Sequence, residues 1–270
     1  MLSDATRWKP KKRIVKVLIP YVIWTFFYVV LANIKTPSAI PISYMVNLIT
    51  GKGAAIMYYV FVYCEFTLLI PVIDKLARSK YKWFGYVIAP AEIVIMRSIP
   101  LILGFEVPVI FSTVRSISCL GWFTYFYLGY LIGNNIIEIK IPMRKLTILW
   151  CGGILQILEG YWYYSIGVSN CGTQLKISAL FTSVIFVLML YIFINTDKLK
   201  NTKVKWLYAL GNYSFGIYFL HLAVMWVLQH ISNYSYIIYP VNAIIAVFVS
   251  LICVIIGKRI LGKYSGYLAL

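Results

Sequence analysis

The run Val17-Leu18-Ile19-Pro20-Tyr21-Val22-Ile23-Trp24-Thr25-Phe26-Phe27-Tyr28-Val29-Val30-Leu31-Ala32 holds no charged side chain, and it decides the fold class. With its flanks it makes a segment at about 14–33, close to the ~20 residues that a helix needs to cross a bilayer core. Six basic residues precede it: Arg7, Lys9, Lys11, Lys12, Arg13 and Lys16. A signal peptide would follow its basic region at once with a shorter apolar stretch and a small-residue cleavage site. The run therefore reads as a membrane span. Pro20 is expected in its first turns, where a missing N–H matters least.

The rest of the chain repeats the pattern. Of the 270 residues, 61% are hydrophobic and 12% charged, about half the charged share of a soluble domain. Seven further apolar runs follow, at about 54–76, 83–99, 116–137, 146–166, 175–195, 207–230 and 237–256. The expectation is an all-α, polytopic integral membrane helical bundle of about eight transmembrane helices, in one transmembrane domain over 1–270. There is no internal repeat and no separate soluble domain. Segment 35–53, with Pro37, Pro41, Gly51 and Gly53, reads as a loop, and 100–115 as a loop or half-buried segment. Pro90 and Glu92 predict a kink in the third span. Gly129 and Gly133 form a small-xxx-small pair that would permit close helix contact. Tyr161-Trp162-Tyr163-Tyr164 has the composition of an interfacial aromatic belt.

Charge gives the orientation. The chain carries 25 Lys+Arg against 8 Asp+Glu, a formal net charge of +17. The basic residues lie in short clusters between apolar runs, with no basic face and no nucleic-acid motif, so nucleic acid is not an expected partner. Sorted by alternate sides of eight spans, 20 of the 25 fall on one side and 5 on the other. The positive-inside rule then places both termini in the cytoplasm of a multi-pass cell-membrane protein, with the bilayer and its anionic headgroups as partners. The five cysteines (Cys64, Cys119, Cys151, Cys171 and Cys253) include no CxxC pair. They read as small buried hydrophobes and predict no metal site.

Few ionisable residues remain inside the spans: Glu65, Glu92, Glu159 and His221. Such groups are expensive in lipid and mark functional positions by default, facing the bundle interior or water. His221 lies about 14 residues into a span entered from the cytoplasm, or roughly 20 Å; Glu65 lies about 11 residues, or roughly 16 Å, into one entered from outside. Those depths are compatible with one pocket, which makes the two residues the candidate catalytic pair. The alternative for His221 is a hydrogen bond to a backbone carbonyl or tyrosine that locks two helices. Glu159 reads as near-interfacial, Glu92 as free to snorkel beside Pro90, and His230 as a solvated interfacial residue.

Three motifs resemble one known family. Lys12-Arg13-Ile14-Val15-Lys16-Val17-Leu18-Ile19-Pro20-Tyr21-Val22-Ile23-Trp24 is similar to the basic segment and P-Y-x-x-W opening of the third span in the acyltransferase-3 family of bacterial membrane O-acyltransferases. Tyr58-Tyr59-Val60-Phe61-Val62-Tyr63, continuing to Leu68-Leu69-Ile70-Pro71-Val72-Ile73, resembles a later span. Gly211-Asn212-Tyr213-Ser214-Phe215-Gly216-Ile217-Tyr218-Phe219-Leu220-His221 resembles the late G-x-x-S-[FY]-x-[IL]-Y-L-x-H span. The resemblance covers nearly the whole chain. It implies transfer of an acyl group, commonly acetyl, from acyl-CoA as co-substrate to a hydroxyl of a cell-surface or lipid-linked glycan, with no tightly bound cofactor. It makes Arg13 and Lys16 the candidate contacts for the acyl-CoA phosphates; plain positive-inside anchoring is the other reading of that pair.

The family's own pattern has about ten spans, with a proposed catalytic histidine in the first. This sequence opens at the segment before the third, so the resemblance implies two missing spans and matches His221 to the late-span histidine. Two other functions share the same features. One is a transporter of a small solute or lipid-linked sugar, which would also want intramembrane Glu and His; the other is a non-catalytic membrane scaffold. Acyl-CoA-dependent glycan acylation lost in His221→Ala separates the first function from both.

Overall fold

The computed structural model describes residues 8–103, 109–167, 172, 174–194, 205–231 and 240–269. All regular structure among them is helical, in agreement with the all-α expectation. In chain order the helices are α1 (Pro10–Ala32), α2 (Ile40–Thr50), α3 (Tyr58–Arg78), α4 (Phe84–Leu103), α5 (Val109–Ile117), α6 (Phe123–Gly133), α7 (Met143–Cys151), α8 (Ile154–Ser165), α9 (Ile177–Ile194), α10 (Lys205–Ile231) and α11 (Val241–Leu261). Short 3-10 segments lie at Pro37–Ala39, Leu120–Trp122 and Gly262–Leu268. Among the described residues, three stretches are long and apolar enough to cross a membrane: Pro10–Ala32, Leu210–His230 and Val241–Leu268. They match the expected first, seventh and eighth spans.

Several sequence expectations are corrected. Helix α1 begins at Pro10, because Lys11, Lys12 and Arg13 are good helix formers and Pro10 suits a first helical position. Pro20 is therefore deep in the helix interior, buried on its packed face. The expected loop 35–53 contains α2. Its signals were present: Pro41 at the start, Ile42, Met45, Val46 and Ile49 at helical spacing, and Gly51 at φ 68° closing it in the left-handed region. The fourth span is interrupted by the turn at Leu120–Trp122, and the fifth is broken at Gly152-Gly153 into α7 and α8. Helix α4, in contrast, continues through Pro90 to Leu103. A Cβ on Gly129 would meet nothing within 4 Å, so that glycine makes no close helix contact. Cys171 lies outside the described residues.

The chain divides into two compact units. The first comprises Met1–Trp8, Glu65–Ser112 and Ser118–Lys203; the second comprises Lys9–Cys64, Thr113–Ile117 and Val204–Leu270. In lipid there is no hydrophobic drive between helices, so each unit must be held by close packing and hydrogen bonds.

In the first unit, α4 and α6 touch at Gly85, where any Cβ would run into the Tyr127 ring. Tyr127 is fully buried and its hydroxyl donates to the Lys82 carbonyl at 2.8 Å. Thr124 Oγ1 donates to the Tyr86 carbonyl at 3.3 Å on the same seam. Tyr130 reaches α3, donating to Asp74 Oδ1 at 2.6 Å, and Arg78 Nε donates to the same oxygen at 2.9 Å. Phe66 stacks on Phe126 at 4.2 Å between centroids.

The second unit is built on α1. Val17, Tyr21, Trp24 and Tyr28 share one face and pack with Met57, Val60, Phe219 and Ala223. Helix α10 meets α11 at Gly216, where an added Cβ would lie 3.0 Å from both Val254 methyls. The segment after α11 folds back, and Trp24 Nε1 donates to the Leu268 carbonyl at 3.1 Å.

Candidate functional site

His221 sits on α10, one turn beyond Tyr218 and beside fully buried Phe219. Its Nδ1 lies 2.8 Å from the Tyr218 carbonyl and 3.1 Å from the Ile217 carbonyl. Carbonyls only accept, so Nδ1 is the donor in these contacts, an arrangement that in the neutral ring leaves the lone pair on Nε2. The sequence alternative of a backbone carbonyl partner is thus realised, but within one helix and not across two. His230 makes the same contact, Nδ1 to the Trp226 carbonyl at 2.7 Å, with its ring tilted against that of Trp226 at 4.3 Å between centroids.

The turn that carries His221 is clamped from α1. Tyr28 donates to the Phe219 carbonyl at 2.7 Å and accepts from the Ala223 amide at 3.2 Å. Those two backbone groups are an ordinary i, i+4 helix pair, so the phenol is inserted into the α10 ladder on either side of His221. Trp24 stacks on Phe219 with planes 9° apart, and the Tyr218 hydroxyl donates to the Ile56 carbonyl. The imidazole is half-buried, and the hydroxyls of Tyr28 and Tyr218 and the indole N–H of Trp24 on the neighbouring turns are satisfied by backbone. Sequence reading missed Trp24 and Tyr28 as members of this site; their i, i+4 spacing on α1 was the available signal.

Arg13 and Lys16 separate on the helix surface. Arg13 is half-buried on the side of α1 that continues into Val17 and Tyr21, while Lys16 is exposed. Lys9, Lys11 and Lys12 border an open groove at the α1 N-terminus together with Pro10 and Val15. The first helical turn has free backbone N–H groups and the positive end of the dipole, so with these lysines it suits phosphate groups.

Glu65 belongs to the first unit and His221 to the second, each with partners of its own. The Glu65 carboxylate accepts the Cys119 amide at 2.6 Å, at the start of the turn leading into α6. Glu159 plays the same part for α9, accepting from the Ser178 amide at 2.9 Å, the Ile177 amide at 3.3 Å and the Ser178 hydroxyl. Each acid meets N–H groups at a helix or turn start, where acceptor oxygens are favoured. Glu92 does not snorkel: a Cβ on Gly121 would lie 3.2 Å from its Oε2.

Two cations near the ends of expected spans are buried. Arg97 rests over the Tyr163 ring at 4.8 Å and donates from Nη2 to the Leu175 carbonyl at 3.4 Å. Lys176 donates to the Gln156 carbonyl at 3.2 Å. Tyr161, Trp162 and Tyr164 are exposed, as belt residues would be, and Tyr163 alone turns inward to take Arg97. Among the described residues no cluster of His, Cys, Asp or Glu could hold a metal ion.

A family described as an acyltransferase domain matches residues 10–259, spanning α1 to the last turn of α11. The chain belongs to the acyltransferase-3 family. The match includes all three motifs that carried the resemblance, with Arg13 and Lys16 at one end and His221 near the other. No curated protein matches the chain. No solved structure matches it either.

Proposed function

We propose that this acyltransferase-3 chain is a membrane O-acyltransferase that moves an acyl group, acetyl being the family's common one, from acyl-CoA to a hydroxyl of a cell-surface or lipid-linked glycan. The observation that carries the reading is the family match over 10–259, with the Nδ1 contact of His221 to the Tyr218 carbonyl beside it. Chemically, the acceptor oxygen attacks the thioester carbonyl, a C–O bond forms, the C–S bond breaks, and CoA leaves as its thiol with the proton the hydroxyl gave up. A base must hold that proton in transit. His221 fits the role because Nδ1–H is committed to carbonyls and Nε2 has the free lone pair. The α1 N-terminus with Arg13 and Lys16 fits the CoA phosphates, on a cytoplasmic side that the 20:5 charge split supports.

The test is transfer of labelled acetyl from acetyl-CoA to glycan in membrane vesicles. His221→Gln keeps an amide of similar reach but cannot take up a proton, and is expected to lose about 10²–10⁴-fold in rate. Wild-type rate in a His221→Gln protein of normal abundance would remove His221 from the chemistry. Acceptor-independent solute uptake by the purified protein would favour transport instead.

A further inference from the structure

Helix α2 has its polarity reversed relative to a helix on a water-soluble surface. Its polar residues face protein. Asn33 Nδ2 donates to Ser43 Oγ at 3.4 Å, Tyr44 donates to the Val22 carbonyl at 3.3 Å, and the Tyr21 hydroxyl donates to the Leu48 carbonyl at 2.7 Å. Its apolar residues face outward: Ile42 is 74% exposed, Met45 56%, Val46 53% and Ile49 68%. Those four fall at i, i+3, i+4 and i+7, one continuous stripe.

The contacts with α1 also fix how deep α2 goes. Its start lies at Asn33, just past the α1 C-terminus, and its end at Tyr21, near the middle of α1. It therefore runs antiparallel to the C-terminal half of a helix about 34 Å long, over its own length of about 16 Å. The turn that follows is Gly51-Lys52-Gly53. A Cβ on Gly53 would lie 2.9 Å from Thr25 Cγ2, seven residues inside the end of α1, or about 10 Å. Non-helical backbone continues to Tyr58. Irregular backbone at that depth is tolerated only when buried in protein or lining water. Gly51 is buried against Phe61 and Ile117, but Lys52 is exposed, and its Nζ donates to Thr113 Oγ1 at 2.6 Å. Among the described residues no carboxylate pairs with it. A cation in that position requires water.

We infer that α2 is a re-entrant membrane helix: it enters the bilayer beside the C-terminal half of α1, presents Ile42, Met45, Val46 and Ile49 to lipid acyl chains, and turns at Gly51-Lys52-Gly53 onto a water-filled recess that holds the Lys52 ammonium. The inference rests on α1 as a span and on these contacts, and stands whether or not the chain transfers acyl groups.

The test places single nitroxide labels in the full chain, with its native cysteines replaced, in phosphatidylcholine–phosphatidylglycerol liposomes. Labels go on Lys35→Cys, Ile42→Cys, Val46→Cys, Ile49→Cys and Lys52→Cys, all exposed positions. Collision with oxygen, which concentrates in lipid, is compared with collision with a water-soluble nickel chelate. The oxygen-to-nickel ratio is expected to rise from Ile42 to Ile49 and to fall back at Lys52. Nickel contact at Ile42 and Ile49 equal to that at Lys35 would put α2 in water and overturn the inference. Lipid-like values at Lys52 would overturn the recess. Each variant counts only if it elutes as wild type in detergent.

Discussion

The Glu65 carboxylate accepts the backbone N–H of Cys119 at 2.6 Å, so an acid on α3 opens the turn into α6. A neutral amide oxygen can accept the same bond. Glu65→Gln is therefore expected to fold normally, whereas Glu65→Ala strands a buried N–H and costs about 1–3 kcal/mol. Unfolding in detergent measures both. Loss of acyl transfer in Glu65→Gln without loss of stability would assign the acid a proton-handling role in addition to this bond.

Gly85 and Gly129 form a matched pair of controls. Gly85→Ala drives a methyl into the Tyr127 ring and is expected to destabilise by about 1–3 kcal/mol or more. Gly129→Ala meets open space in the middle of α6 and is expected to be neutral or to stabilise by up to ~1 kcal/mol. Equal melting temperatures for the two variants would mean that α4 and α6 do not approach at Gly85.

Tyr28→Phe removes the hydroxyl inserted between Phe219 and Ala223. The two backbone groups can then bond each other, so the expected loss is only about 1 kcal/mol, read as a small drop in melting temperature. The readout of interest is rate. A fall in acyl transfer beyond the stability change would show that the clamp positions the turn of His221.

Lys16 is exposed on α1 while Arg13 is half-buried. Lys16→Gln is expected to raise KM for acyl-CoA with little change in kcat, the signature of lost uniform binding. The effect should shrink as salt is raised. An unchanged KM at low salt would return Lys16 to simple membrane anchoring.

The membrane class, the three longest apolar helices and the family were legible because each is written in a long run or a local motif. The breaks were less so. Gly152-Gly153 and the turn at Leu120–Trp122 sit inside stretches whose composition alone satisfies a span, and hydropathy does not register a change of backbone direction. Helix α2 hides in the sequence because Pro41 and Gly51 are also loop residues, although here one starts and the other ends a helix. In the site, His221 was visible as a rare titratable residue. Tyr28 and Trp24 were not, because they look like any other aromatic in an apolar run until α10 packs against them. The intended partners of Glu65 and Glu159 were backbone amides far along the chain, which no residue pattern announces.

The break at Gly152-Gly153 also constrains how the protein is made. Helices α7 and α8 have nine and twelve residues, about 14 and 18 Å, against a hydrocarbon core of about 30 Å. Neither would be held in the bilayer by its own length as it leaves the ribosome. Glu159 on α8 must wait for the amides of Ile177 and Ser178, and Gln156 for the hydroxyl of Thr182, all supplied by the next helix. Residues 143–165 are therefore expected to settle in the membrane only after α9 emerges, and in chains stalled before that point a cysteine placed at exposed Ile157 should remain open to a water-soluble maleimide.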